Sequence, residues 1–77
     1  MTRAEFIELL EQNNINTKLV SFDPDLKDGY CVRRNRLGWE VFVRERGEEL
    51  NIVGFPSEGN ALQYLFDLLV GIYGKQN

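Results

Sequence analysis

Histidine is absent from this sequence, cysteine occurs once and proline twice. Without histidine, the commonest general base is missing, and so is the usual partner of a nucleophilic serine or cysteine. A structural zinc site would lack its imidazoles, and Cys31 alone cannot complete a tetrahedral set. Nor can Cys31 close an internal disulfide, and one free thiol suits a reducing compartment. The glycines at 29, 38, 47, 54, 59, 71 and 74 are scattered, with none of the clustering of a phosphate-binding loop. Asp23, Asp25 and Asp28 lack the central glycine and distal glutamate of a calcium loop. No catalytic residue, cofactor or metal is therefore expected.

Long apolar runs are also missing. The longest, Leu65 to Ile72, contains Asp67 and falls short of the roughly 20 residues needed to span a membrane. The first residues, Met1-Thr2-Arg3-Ala4-Glu5, carry an acid and no apolar h-region, unlike a secretory signal. The expectation is a cytoplasmic protein with no membrane partner. Seventy-seven residues suffice for one domain, 1–77, that buries only about 60% of its unfolded surface.

Charge is uneven. The total is −3, yet residues 30–46 hold five arginines against two glutamates, between two flanks that are each −3. An acidic body with a basic central strip does not suit nucleic acid, which calls for a broad basic face.

What is present reads as α+β. Thr2 and Glu5 form a capping box, with Met1 and Phe6 placed for a hydrophobic staple. Phe6, Ile7, Leu9 and Leu10 then give a helical stripe that predicts a helix over 3–13. Thr17–Phe22 is weakly alternating and supplies a fourth, edge strand if it pairs. Asp23-Pro24-Asp25 and Lys27-Asp28-Gly29 carry turn chemistry. Tyr30–Arg34, Trp39–Glu45 and Glu48–Phe55 then predict an antiparallel meander. Ser57 caps a final helix running to about Tyr73, with Gly74 as its stop. Both helices are expected on one face of the sheet.

Register can be tested on the sequence. A loop at 35–38 pairs Arg34 with Trp39, Val32 with Val41 and Tyr30 with Val43. A two-residue loop at Arg46-Gly47 pairs Val43 with Leu50, Val41 with Ile52 and Trp39 with Gly54, unless that turn carries a bulge. One face is then apolar, and the other pairs Arg33 with Glu40 and Arg44 with Glu49. A slip by one residue destroys both patterns. The expected core is Trp39, Val41, Val43, Leu65, Leu68 and Leu69.

The second face has two readings. In the plain one, Trp39–Gly47 is a central strand ending in an ordinary hairpin tip, and Cys31 is a packed structural thiol. In the functional one, Phe42 and Val53 join Cys31 as an apolar centre with Arg33, Glu40, Arg44 and Glu49 around it, and the hairpin tip at Glu45 and Arg46 extends the recognition surface. Apolar centres with charged rims are common in protein-binding patches. The last helix is apolar on nearly every side, which one short helix and a small sheet can hardly cover, so homo-oligomerisation through it is a second expectation. Element order also matches a double-stranded-RNA-binding module, but Pro56–Ala61 is acidic where that chemistry needs lysines.

Trp39-x-Val41-x-x-x-Glu45-Arg46-Gly47, followed by Phe55, Glu58 and Ala61, resembles small bacterial immunity proteins of polymorphic toxin systems. The similarity covers roughly the C-terminal two-thirds. It implies a cytoplasmic protein that binds and neutralises a cognate toxin domain, while the missing histidine and the isolated Cys31 are what argue against an enzyme.

Overall fold

The computed structural model describes residues 1–74. Helix α1 spans Arg3–Gln12, a 3-10 turn spans Thr17–Leu19, and the strands are β1 (Val20–Phe22), β2 (Gly29–Asn35), β3 (Gly38–Glu45) and β4 (Glu48–Phe55). Helix α2, Glu58–Tyr73, ends the described fold. The capping box is formed: Glu5 N–H donates to Thr2 Oγ1 at 3.1 Å, and Thr2 N–H donates to Glu5 Oε1 at 2.8 Å. Ser57 Oγ accepts from Asn60 N–H at 3.1 Å and starts α2 where the sequence placed it.

The four strands form one sheet in the order β1-β2-β3-β4. Three run as the expected meander, but β1 lies parallel to β2, so the sheet is mixed. Two successive turn signals separate β1 from β2. Two reversals restore the original direction, which is why the edge strand is parallel. Only three residues long, β1 leaves a short return path, far less than the dozen residues a parallel crossover usually needs.

Between β2 and β3 the expected register holds throughout, with Val32 opposite Val41 and Arg33 opposite Glu40. Between β3 and β4 it holds only near the turn, with Val43 opposite Leu50 and Arg44 opposite Glu49. The register then shifts, pairing Val41 with Val53, Glu40 with Gly54 and Trp39 with Phe55. The irregularity sits at Asn51, whose φ is +55°, and not at the Arg46-Gly47 turn, where both residues have positive φ as a two-residue turn requires. Asparagine tolerates the left-handed region better than most residues. The extra residue transfers Val53 and Phe55 to the Val32–Val41 face. The unbulged register would have set Trp39 against a glycine.

The core joins Phe6 and Leu10 of α1, Val32 and Val41 of the sheet, and Ala61, Leu62, Leu65 and Leu69 of α2. Of the expected core residues, Val41, Leu65 and Leu69 are buried, whereas Trp39, Val43 and Leu68 are only half-buried. Trp39 lies near the sheet's end with Arg3 over its ring at 5.9 Å, and Val43 and Leu68 flank an open recess beside Tyr64.

Because Asn51 holds the register shift, a β-branched residue there should be costly. Asn51→Val is expected to lose about 1–3 kcal/mol of stability in urea melts. Asn51→Gly, which accepts the same φ freely, should match or exceed the parent.

Candidate functional site

The Cys31–Phe42 face, expected to be open, is largely closed. Phe42 is 1% exposed and Cys31 is fully buried. Arg33 on β2 does much of the covering. Its guanidinium lies over the Phe42 ring at 4.4 Å. Its Nε donates to Glu40 Oε2 at 2.8 Å, and its two terminal nitrogens donate to Glu49 at 2.7 and 3.0 Å. The span crosses from β2 over β3 to β4. Glu40, 9% exposed, also accepts from Asn35 Nδ2 at 2.8 Å.

These contacts set the charges. Hydrogen bonding to Glu49 and then Glu40 outweighs burial and raises Arg33 beyond its ordinary value. The Asn35 amide, followed by Arg33, lowers the Glu40 carboxyl against the opposing effect of burial. Glu49 is lowered chiefly by its bond from Arg33.

The connection 23–28 covers the rest. Arg44 Nη1 donates to the Leu26 carbonyl at 2.7 Å, and its Nε lies 3.8 Å from Asp28. Arg46 N–H donates to Asp28 Oδ2 at 3.1 Å. Lys27 N–H donates to Ser21 Oγ at 3.0 Å, while the Cys31 thiol points at the Lys27 carbonyl at 3.2 Å. A strap tied at both ends thus lies against the thiol.

The proposed recognition residues therefore divide. Phe42 is a packing residue, because an aromatic ring between an arginine and the sheet is already desolvated. Val53 is not on this face at all, because the Asn51 bulge turns it to the other. Arg33, Glu40 and Glu49 satisfy one another, and Arg44 holds the strap. Glu45 and Arg46 remain exposed at the hairpin tip. Ile52, 52% exposed, takes the outward position on β4, and Leu50 is exposed beside it. Sequence reasoning missed Ile52 because a one-residue bulge reverses every face assignment beyond it. The signal available was Asn51, a turn-forming residue inside an apolar strand.

Among the described residues, no group of three or more His, Cys, Asp or Glu side chains is placed to hold a metal. None of their helices is long and apolar enough to cross a membrane. No protein-family model, curated protein or solved structure matches the chain.

Two outcomes follow from a closed face. Phe42→Ala should destabilise the domain by about 3–5 kcal/mol, read from denaturant melts, because it empties a buried ring site. The lowered Glu40 carboxyl contributes stability present above the unfolded glutamate value and lost as pH falls through the folded one. The thermal midpoint should therefore fall as pH drops from about 5.5 to about 3, and less steeply in Glu40→Gln or Asn35→Ala.

Proposed function

We propose that this protein works by binding a macromolecular partner without catalysis, and that the partner is a toxin domain neutralised by occlusion. The observation that carries the binding reading is β4. It is the last strand of the sheet, with one neighbour only, and it presents Leu50 and Ile52 to solvent along an unpaired backbone edge. An edge strand offers a row of free donors and acceptors to another chain, and flanking side chains select the partner. The adjoining tip adds Glu45, Arg46 and Glu48, all exposed, as a charged rim. In this reading both helices lie over the Val32–Val41 face, so recognition falls to the free edge. The toxin assignment, and the cytoplasmic setting that goes with it, rest on the resemblance carried by Trp39, Val41, Glu45, Arg46, Gly47, Phe55, Glu58 and Ala61. Absence of histidine and burial of the lone thiol support the reading without chemistry.

A second reading, a homodimeric adaptor, is favoured by α2. Tyr64, Leu68 and Ile72 follow one another at four-residue spacing, and Tyr64 and Ile72 are exposed. Such a ridge can pack against its own copy.

Co-expression with the product of the neighbouring gene tests both. The proposal expects a stable complex, protection from toxicity, and loss of both in a Leu50→Glu, Ile52→Glu variant of unchanged melting temperature. The lost affinity should amount to about 2 kcal/mol or more. Absence of both the complex and the protection would sink the toxin assignment. An unaffected variant would move the interface off β4, and dimers that Ile72→Asp dissociates would favour the second reading.

A further inference from the structure

At the opposite end of the sheet from the Arg46-Gly47 tip, the β2–β3 turn shows the most exposed large apolar side chain among the described residues. Leu37 is 94% exposed. Exposure at a loose loop would mean little, but this turn is held on two sides. Asn35 Oδ1 accepts from Leu37 N–H at 3.0 Å, while the same side chain's amide donates to Glu40. That ties the turn to the Arg33 network. On the other flank Gly38, with φ +150°, lies so near the Phe55 and Pro56 backbone that a Cβ there would collide with the Phe55 carbonyl. Only glycine lets the turn sit this close. Leu37 is therefore presented by a fixed turn.

Its surroundings are specific. Leu37 stands between two open recesses. One, of about 450 Å³, is bounded by Asn35, Arg36 and Leu37. The other, of about 320 Å³, is lined by Asn35, Leu37, Trp39, Gly54, Phe55 and Pro56. Arg36 neighbours Leu37 in the turn, and Arg34 lies directly opposite Trp39 in the β2–β3 register. Both arginines are exposed. Arg3 pairs with Glu58, Arg33 with Glu40 and Glu49, and Arg44 with Asp28. Arg34 and Arg36 have no ion-pair partner among the described residues, in a protein that is otherwise acidic.

We propose that the Arg34–Leu37 turn is a second docking surface, separate from the exposed Leu50–Ile52 stretch of β4, for an acidic protein segment carrying one apolar side chain. That side chain would seat in the recess between Leu37, Trp39 and Phe55, and its carboxylates would meet Arg34 and Arg36. Charge complementarity chooses this occupant. Arginine forks pair well with carboxylates, and partial desolvation beside Leu37 and Trp39 strengthens such pairs. A nucleic acid would need a wider basic footprint than two arginines on a body of net charge −3. The inference goes beyond the proposed function and does not depend on it, since Leu50, Ile52 and the Arg46-Gly47 tip take no part in lining the recess.

Trp39 is the sole tryptophan and lines the recess, so its emission reports occupancy. The probe is a short dye-labelled peptide of Asp and Glu with one central Leu, titrated into the full chain and followed by anisotropy and tryptophan emission. Saturable binding that shifts Trp39 emission is expected. It should weaken at least about tenfold when the central Leu becomes Ser, or in Arg34→Glu, Arg36→Glu. Leu37→Ser, at so exposed a position, gives a second variant whose melting temperature should match the parent. Raised salt should weaken binding, as exposed ion pairs require. The proposal is overturned if the acidic peptide does not bind, if the variants bind it as well as the parent, or if a short oligothymidylate binds more tightly. Self-association abolished by the arginine reversals would also overturn it, by making a second copy the occupant.

Discussion

Arg33 reaches from β2 across β3 to β4, and the packing of an entire sheet face depends on where it lands. Its guanidinium caps the Phe42 ring while bridging Glu40 and Glu49. A domain of this size has two helices for two sheet faces, and the buried core draws both helices into one cluster with Val32 and Val41. The Cys31–Phe42 face is closed by Arg33 and by the connection 23–28. An arginine's planar fork serves well here, since it satisfies two carboxylates while its own face lies over an aromatic ring. Replacing it with lysine would keep the charge and lose the lid.

Closure of that face fixes the roles of its neighbours. Glu40 holds Arg33 from one side and Asn35 from the other, and Asn35 in turn fixes the Leu37 turn. Arg44 anchors the strap 23–28 over Cys31. A set of residues that looks like a charged binding rim in one dimension is thus an internal network in three. The exposed side chains are left to the edges and ends of the sheet, at Leu50 and Ile52 on β4 and at Arg34, Arg36 and Leu37 beside the β2–β3 turn.

Much of this was legible in the sequence, for identifiable reasons. The capping box, the Ser57 cap and the β2–β3 pairing rest on local chemistry and on strict alternation, and they form as expected. The parallel β1 was encoded in two consecutive turn signals, each plain alone, whose combined effect on strand direction is easily overlooked. The bulge at Asn51 was harder, because one residue in the left-handed region costs little and leaves composition unchanged, yet it moves Val53 inward and Ile52 outward. Burial of Phe42 was hidden for another reason. Alternation tells which face a side chain takes, and nothing in it reveals that a strap and an arginine will cover that face.

Cys31 is a built-in probe of the closed face, being the only thiol and lying beneath the strap. Its rate of reaction with a small disulfide reagent, in native protein and in denaturant, tests the account most directly. A closed face predicts labelling slowed by about a hundredfold or more in the native state and limited by opening of the structure. Native labelling at the rate of the denatured chain would show the face open, and would return Phe42 and its charged neighbours to the solvent.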